Sequence, residues 1–286
     1  MLPTEFNVLI VDDDPDVLAV SKLAMRGFKP LDLPVQLFTA TSKAEAIDLI
    51  QRQLATPAYP GGWFAVALID VVMETDTAGL ELCDYIRNTL HNRTSQLYIR
   101  TGQPGVAPER DVINRYDING YFTKVEATED KLYTMVKSGV SEIMFAQTAV
   151  SLLDVLTVLT AVSDSRDAMF GVLDQAVAMA GARFKYAIFI DGRVVPFGMD
   201  QGEAQDVRDR LLKMPCTSLG MPGLPFPTED DCYVIDNNDT LIHVPESQVT
   251  AVASYVSIAT APAPRTSVEL MYKFMRSFAS LWKKAR

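Results

Sequence analysis

The first half of the chain alternates short apolar runs with amphipathic helical segments, and this alternation constrains the fold more than any other feature. The run at 8–11 is wholly apolar and is followed at once by three aspartates, as expected of a buried parallel strand. Further strands are predicted at 35–38, 64–70, 96–100 and 120–123, and helices near Pro15, Ser42, Gly79, Pro108 and Thr128. Five such units predict an α/β domain, a doubly wound five-stranded parallel sheet with helices on both faces.

The first helix of this series carries a clear apolar pattern. Pro15 suits the first position of a helix, where its missing N–H is not needed. Val17, Val20, Leu23 and Ala24 then recur at helical spacing. We expect these four residues to form the buried face of the helix.

Polar and charged residues follow four of the five predicted strands. The aspartates at 12–14 end the first strand, Asp70 ends the third, and Thr101 and Lys124 end the fourth and fifth. Because the carboxyl ends of parallel strands share one edge of a sheet, these side chains are expected to meet there. Clustered carboxylates repel one another unless a cation compensates, and Mg²⁺ prefers oxygen ligands. The hydroxyl and ammonium groups facing them suit the oxygens of a phosphoryl group, whereas Asp14 is expected only to favour the helix N-terminus.

Four motifs, in order, resemble the receiver domain of two-component response regulators. They are VLIVDDDP at 8–15, LIDVVM at 68–73, RTG at 100–102 and GYFTK at 120–124, and the resemblance covers residues 5–140. It implies a CheY-like fold, a Mg²⁺ cofactor and phosphoryl transfer from a sensor histidine kinase or phosphotransfer protein. The loops at 71–80 and 101–110 are similar to those of one receiver subgroup. That subgroup precedes an uncharacterised GAF-like domain and often an HD-type cyclic-di-GMP phosphodiesterase.

The resemblance also implies a role for each residue at the strand ends. Asp70 is the expected phosphoacceptor, and Thr101 and Lys124 are the hydroxyl and ammonium that assist the transfer. The expected metal ligands are the side chains of Asp12, Asp13 and Asp70 and the backbone carbonyl of Val72. Thr101 and Tyr121 are the expected switch pair, which moves inward on phosphorylation and repacks the face of helix four, strand five and helix five. Gly102 leaves room for the phosphoryl group.

Two positions depart from the family pattern. Most receivers have proline after the methionine of strand three and after the lysine of strand five, where this chain has Glu74 and Val125. The loop that carries Glu74 is also one residue longer. Because a cis peptide is costly without proline, the resemblance does not fix the geometry of the loop after Lys124.

Charge and composition exclude several functions. The net charge is -10, and basic residues cluster only at 283–286, whereas nucleic-acid binding needs clustered Lys and Arg. The N-terminus runs straight into a strand and no uninterrupted apolar run reaches the length of a membrane helix, which predicts a cytoplasmic protein without a signal peptide. Cys83, Cys216 and Cys232 have neither metal-ligand nor disulfide-like spacing and are expected to be free thiols in a reducing compartment.

The helical pattern after the receiver continues for longer than a receiver needs. We predict a receiver at 1–138, a linker helix at 139–165 and a smaller α+β domain at 166–286. Apolar residues recur at alternating steps of four and three, as in a coiled-coil seam, at Phe145, Ala149, Leu152, Leu156 and Leu159. Such a helix pairs with a second copy or packs on the C-terminal domain, and we favour a homodimer.

The C-terminal segment resembles a GAF-type sensory domain in its order of elements. A helix at 167–179, a hairpin turning at Asp191–Gly192, a polar helix at 202–213, strands at 232–235, 240–243 and 253–259 and a closing helix from Thr266 are predicted. Residues 236–239 are expected to form a hairpin turn, although their carboxylates could instead face a cation. The apolar residues of the closing helix are expected to pack on the linker helix. His243 is not expected to be a metal ligand.

Together these features predict a response regulator that relays phosphorylation of Asp70 to a noncatalytic C-terminal domain and a downstream signalling protein. No separate catalytic site is predicted. One alternative is the regulatory portion of a cyclic-di-GMP phosphodiesterase, although the chain has only His91 and His243 and lacks the histidine–aspartate pair of that enzyme. Another is a pseudo-receiver scaffold, against which the complete set of site residues argues.

Overall fold

The structure is a computed structural model, and it divides into two compact units, Pro3–Ala146 and Gln147–Arg286. It describes residues 5–55, 64–102, 109–180, 184–190, 192–219, 231–236, 239–244, 249–255 and 265–285. Each unit has its own sheet and its own hydrophobic clusters. The domain boundaries predicted from the sequence stay a prediction.

The first unit is built on a parallel sheet of five strands in the order β2-β1-β3-β4-β5. The strands are β1 Phe6–Val11, β2 Val35–Ala40, β3 Val66–Ile69, β4 Gln96–Thr101 and β5 Gly120–Thr123. The register aligns their carboxyl ends: Val11 lies opposite Ala40 and Ile69, and Thr101 lies opposite Thr123. The predicted α/β fold class is therefore confirmed.

Helices connect these strands. They are α1 Pro15–Ala24, α2 Lys43–Leu54, α3 Ala78–Asp84, α4 Glu109–Tyr116 and α5 Glu129–Ala161. A π-helical turn, Tyr85–Thr89, continues α3, and short 3-10 turns lie at Pro30–Asp32 and Lys124–Glu126. The predicted first residue of the fourth helix, Pro108, lies outside the described residues.

Alternate residues of the strands enter two separate cores. On one face, Leu9, Ile69 and Ile99 pack in a cluster with residues of α2, α3 and α4. On the other face, Ile10 and Leu68 pack with residues of α1 and of the first half of α5. Because neighbouring side chains of a strand point to opposite faces, a wholly apolar strand means that both faces are covered.

The predicted buried face of α1 is wrong for two of its four residues. Leu18 and Ser21 are buried, whereas Val20 and Leu23 are 66% and 69% exposed. The apolar spacing misled the prediction because a serine belongs to the buried face, where its hydroxyl accepts a hydrogen bond from Arg100. A polar residue inside that contact cannot be anticipated from hydrophobic periodicity.

The second unit contains an antiparallel sheet of six strands in the order β7-β6-β11-β10-β9-β8. The strands are β6 Phe184–Ile190, β7 Arg193–Phe197, β8 Thr217–Ser218, β9 Cys232–Asp236, β10 Asp239–Val244 and β11 Val249–Tyr255. The helices are α6 Arg166–Ala180, α7 Gln201–Leu211 and α8 Arg265–Lys284. The last strand begins at 249 rather than 253, because its whole length pairs with β6. Asp191 and residues 256–259, predicted to lie in the hairpin turn and the last strand, are outside the described residues.

The long helix α5 places its apolar residues on more than one side. Leu159 is buried in a cluster with Phe278 and Trp282, and Leu152 and Leu156 pack against that cluster. Part of the predicted coiled-coil seam therefore lies in the core of the second unit. Five large apolar residues of the helix are exposed, namely Tyr133, Val150, Leu153 and Val158, and also Phe145 of the predicted seam.

Among the described residues, α5 is also the one helix whose length and composition would suit a membrane span. Length and composition do not separate a membrane helix from a helix of a protein core. Leu132, Val136 and Val140 of α5 are buried against the first sheet. The predicted absence of a membrane segment stays a prediction.

The prediction of three free cysteines is wrong for two of them. Cys216 and Cys232 form a disulfide with a Cα–Cα distance of 5.8 Å. They are separated by 16 residues, a spacing that matches no sequence signature, but the pairing of β8 with β9 brings them together. Cys83 is free and buried, and its burial raises the pKa of the thiol to about 12.

Candidate functional site

Four predicted site residues meet at the carboxyl edge of the parallel sheet. Asp12 follows β1, Asp70 follows β3, Thr101 ends β4 and Lys124 follows β5. The first three are buried and Lys124 is half-buried. Residues more than a hundred positions apart converge because the strands are parallel and in register, so that their last residues share one edge.

Lys124 is the hub of this cluster. Its Nζ lies 2.7 Å from Asp70 Oδ2 and donates a hydrogen bond of 3.0 Å to Asp12 Oδ1. Burial by itself lowers the pKa of the Lys124 ammonium, but the bonds and charges of the two carboxylates outweigh it and raise the pKa. The ammonium is therefore a stable positive charge between two carboxylates.

The contacts of Asp70 orient its carboxylate, and its burial favours the protonated form. Its Oδ1 accepts a hydrogen bond of 2.8 Å from the backbone N–H of Val71. Burial raises the pKa of Asp70, with a smaller contribution from the charge of Asp12, and the opposing effect of Lys124 does not cancel the rise. A carboxylate that is poorly solvated and oriented at both oxygens is suited to react with an electrophile.

An acidic cluster able to hold a metal ion lies at the same place. Asp12, Asp13 and Asp70 each offer one oxygen, and the three oxygens lie within 4.8 Å of one another. Asp13 is exposed, whereas the other two are buried, so the cluster opens to solvent on one side. Carboxylate oxygens in this arrangement fit a hard divalent cation that keeps some of its water. Val72, whose carbonyl is a predicted ligand, is half-buried in the loop after β3, and its role stays a prediction.

The loop after β3 is fixed without the usual proline. Glu74 Oε1 accepts a 3.0 Å hydrogen bond from the backbone N–H of Lys43, the first residue of α2. Gly79 then passes very close to the strand end, because a Cβ placed there would lie 1.8 Å from the carbonyl oxygen of Asp70. Its N–H donates to the carbonyl of Val71 at 3.1 Å. The glycine is required for the start of α3 to lie against the backbone of Asp70.

The loop after β5 is also fixed without proline. The carboxylate of Glu126 accepts hydrogen bonds of 2.7 Å and 2.9 Å from the backbone N–H and the hydroxyl of Thr123. These bonds lower the pKa of Glu126. Val125 is 92% exposed beside Lys124. A Cβ at Gly102 would lie in ordinary contact with the Lys124 side chain, at 3.7 Å.

The predicted switch residues lie on β5, an edge strand of the sheet, and on its neighbour β4. Thr101 is buried at the end of β4, and Tyr121 lies half-buried in β5, opposite Ile99. Tyr121 packs against the core that α4 shares. Residues 103–108, which include most of the loop at 101–110, lie outside the described residues. The switch role of Thr101 and Tyr121 stays a prediction.

Sequence reasoning missed two buried arginines. Arg100 Nη2 donates to Asp12 Oδ2 at 3.1 Å. This arginine therefore adds a positive charge beside the acidic cluster. Arg87 lies at the opposite end of the strands, where it donates to the carbonyls of Asn92 and Asp117 at 2.8 Å each. An arginine within an otherwise apolar run is the signal that could have revealed Arg100.

In the second unit, the residues expected to form the turn, 237 and 238, lie outside the described residues, and the carboxylates on either side of them contact an arginine side chain. Asp236 and Asp239 are paired residues of β9 and β10, and both carboxylates bind the guanidinium of Arg210. His243 is half-buried on β10, where burial lowers its pKa.

The strand order and the side chains at its carboxyl edge define the first unit as a receiver-type, CheY-like domain. No protein-family model matches the chain. A curated protein of Vibrio cholerae, 3'3'-cGAMP-specific phosphodiesterase 2, is 43% identical over 131 residues. The match covers 46% of this chain and 24% of that protein, so the chain spans about a quarter of the length of the relative.

Solved structures similar to the chain cover about half of it. The signal receiver domain of an HD domain-containing protein from Pseudomonas fluorescens is 16% identical, with a TM-score of 0.41, over 52% of this chain and 95% of that one. An adenylate cyclase from Rhodopirellula baltica is 21% identical, with a TM-score of 0.41, over 52% and 98%. A two-component response regulator from Cytophaga hutchinsonii is 19% identical, with a TM-score of 0.39, over 49% and 99%. Similarities of this size add nothing to what the strand order establishes.

Proposed function

We propose that the chain is a response regulator that accepts a phosphoryl group on Asp70. The observation that carries the proposal is the meeting of Asp12, Asp13 and Asp70 with Lys124 at one edge of a receiver fold. Three carboxylates and an ammonium at one spot are costly to assemble unless a divalent cation and a phosphoryl group use them. The phosphoryl donor is a phosphohistidine of a sensor kinase or phosphotransfer protein.

The transfer follows from the positions of these groups. A carboxylate oxygen of Asp70 forms a bond to phosphorus as the bond from phosphorus to the histidine nitrogen breaks, and the imidazole leaves with the electron pair. Lys124, which lies 2.7 Å from Asp70 Oδ2 before transfer, then binds a phosphoryl oxygen instead. A Mg²⁺ ion held by Asp12, Asp13, Asp70 and the Val72 carbonyl supplies charge neutralisation when bound.

Phosphorylation is proposed to reach the rest of the molecule through β4 and β5. The phosphoryl group adds negative charge at Asp70, and the hydroxyl of Thr101 moves inward to bond it. Tyr121 follows into the vacated space. This repacks the face formed by α4, β5 and the start of α5, and it shifts the population between two existing arrangements.

The second unit is proposed to be a noncatalytic GAF-like domain that senses a ligand or binds a downstream signalling protein. Its strand order joins the first hairpin, β6–β7, to the last strand, with α6, α7 and α8 as its helices. We further propose a homodimer through the exposed side of α5. Val150, Leu153 and Val158 leave an apolar surface there, which a second copy would cover.

A second candidate function is the regulatory portion of a cyclic-dinucleotide phosphodiesterase. It is favoured by the 43% identity to a phosphodiesterase of this class, over a segment about half as long as this chain. The chain itself has only two histidines, His91 and His243, which is too few for the histidine-rich metal centre of an HD-type enzyme. Incubation of the chain with 3'3'-cGAMP or cyclic-di-GMP and divalent metal tests this candidate, and we expect no hydrolysis.

Phosphorylation is tested by mass spectrometry after incubation with acetyl phosphate and Mg²⁺. The wild-type chain is expected to gain one phosphoryl group and Asp70→Asn none. Asp48→Asn, on the exposed side of α2, is the matched control and should gain the group as the wild type does. An equal gain in Asp70→Asn would place the phosphoacceptor elsewhere, and no gain in any variant would favour the scaffold alternative.

A further inference from the structure

Arg100 is a buried cation that contacts Asp12 of the acidic cluster. It is the penultimate residue of β4 and only 3% exposed. Its Nη1 donates to Ser21 Oγ at 2.6 Å, and its Nη2 donates to Asp12 Oδ2 at 3.1 Å. Ser21 Oγ in turn donates to the carbonyl of Val17 at 2.7 Å, so the hydroxyl that holds the guanidinium is itself fixed. A planar guanidinium anchored at both ends has a fixed position.

Arg100 also sets the orientation of Asp12. Asp12 Oδ2 accepts from Arg100, while Oδ1 accepts from the backbone N–H of Asp14 at 3.1 Å and from Lys124 at 3.0 Å. Lys124 Nζ also lies 3.0 Å from Oδ2, so both oxygens are held and the carboxylate cannot rotate freely. Asp12 is therefore presented to the metal cluster in one orientation.

The charge of Arg100 is permanent, because a guanidinium does not lose its proton in a protein. The three carboxylates of the cluster face two cations, Arg100 and Lys124, which leaves one net negative charge. A bound divalent cation makes the net charge one positive, and a phosphoryl dianion in place of the Asp70 carboxylate then brings it to zero. Without Arg100, the phosphorylated and metal-bound site would carry a net negative charge.

We propose that Arg100 is a positioning residue that weakens Mg²⁺ binding to the unphosphorylated site and favours the phosphorylated one. The inference rests on the proposed function, since it requires Mg²⁺ at the aspartates and a phosphoryl group on Asp70. The guanidinium repels a divalent cation and attracts a phosphoryl dianion, and both effects are strong because the group is buried. A merely structural ion pair would contribute stability and leave the metal affinity unchanged.

Calorimetric titration of the 286-residue chain with MgCl₂ tests the inference. Arg100→Met removes the charge and keeps a long side chain, and it is expected to bind Mg²⁺ about tenfold more tightly than the wild type. Arg100→Lys keeps the charge and is expected to bind within about twofold of the wild type. At saturating Mg²⁺, phosphorylation of Arg100→Met by acetyl phosphate is expected to be about tenfold slower, because the cation that attracts the dianion is gone.

Arg87→Met is the matched control. Arg87 is as buried as Arg100 but binds backbone carbonyls at the other end of the strands. The control is expected to unfold at a lower temperature and to bind Mg²⁺ as the wild type does. Unchanged or weaker Mg²⁺ binding in Arg100→Met would overturn the inference.

Different results would overturn the proposed function and the proposed role of Arg100. A wild-type chain that neither binds Mg²⁺ nor gains a phosphoryl group would overturn the proposed function itself. If Arg100→Met is too unstable for calorimetry, thermal unfolding replaces it, and Mg²⁺ is expected to raise the unfolding midpoint of the variant more than that of the wild type. Equal shifts would overturn the role of Arg100 while leaving phosphorylation of Asp70 intact.

Discussion

At the residue scale, the fold keeps charged side chains of the site buried and close to charges of the same sign, which costs free energy. Asp70 is buried and close to the carboxylate of Asp12, and Lys124 offsets only part of this cost. A reactive carboxylate is commonly obtained in this way, because poor solvation leaves it with fewer competing hydrogen bonds to water. Its ionisation should therefore reduce the stability of the folded chain.

The raised pKa of Asp70 predicts a pH-dependent gain in stability when its charge is removed. A group with a raised pKa in the folded state contributes stability that is complete below the pKa of an unfolded aspartate, about 3.9, and is lost as the pH rises through the folded pKa. Asp70→Asn should thus raise the midpoint of thermal unfolding at pH 7 by a few degrees, and the gain should vanish below about pH 4. The measurement is calorimetry in metal-free buffer, with Asp48→Asn as control. A lower midpoint for Asp70→Asn at pH 7 would contradict the prediction.

At the element scale, glycines decide how closely helices approach the parallel sheet. A Cβ at Gly79 would lie 1.8 Å from the Asp70 carbonyl oxygen, and a Cβ at Gly139 would lie 2.4 Å from a methyl group of Val66. The first clash is with backbone, which cannot move aside as a side chain can. The start of α3 is thereby held close to the strand end that carries Asp70.

Gly79→Ala is expected to destabilise the first unit by about 2 kcal/mol or more, because α3 must move away from Asp70 to admit a methyl group. The measurement is urea unfolding. Gly171→Ala, in α6, is the matched control, since nothing lies within 4 Å of a Cβ there, and it is expected to stabilise by up to ~1 kcal/mol. A free energy of unfolding that Gly79→Ala leaves unchanged or raises, as the control does, would show that α3 can shift freely.

The disulfide between β8 and β9 gives a second prediction at this scale. It closes a loop of 16 residues, and its reduction should destabilise the second unit by about 3 kcal/mol and leave the first unit unchanged. Alkylation followed by mass spectrometry should modify no cysteine before reduction and two after it, because Cys83 is buried with a pKa of about 12. Rapid modification of Cys216 in the untreated chain would contradict the pairing.

At the scale of the whole molecule, α5 is the element common to both units. Its residues up to Ala146 belong to the first unit, and those from Gln147 belong to the second. Leu156 and Leu159 pack with the second core, whereas Leu153 is 62% exposed. An apolar surface on a helix shared by two units is a suitable place for a dimer contact that responds to phosphorylation.

Leu153→Glu is expected to convert the proposed dimer to a monomer without loss of fold, because the charge would lie in the proposed contact and not in a core. Leu156→Glu is the comparison, and it is expected to unfold the second unit, since that side chain packs against its core. Light scattering gives the mass, and circular dichroism reports the fold. A wild-type chain that is monomeric with and without acetyl phosphate would exclude the dimer.

Most of the first unit could be predicted, because its signals are local and repeated. The apolar run before the aspartates at 12–14 predicts a strand, and its end predicts where Asp12 must lie. The face of α1 could not be predicted, because Ser21 is buried by a hydrogen bond to a residue 79 positions away. The last strand was placed four residues late for a similar reason, since its length is set by pairing with β6.

The sequence by itself determined the parallel fold of the first unit and the identity of the charged residues at its edge, because strand periodicity and strand-end chemistry are written in short segments. Only the tertiary structure decided which cations those carboxylates face, that Cys216 bonds Cys232, and which side of α5 is exposed. Each of these depends on contacts between distant segments. Such contacts are fixed by packing and pairing of whole elements and leave no periodic trace in the chain.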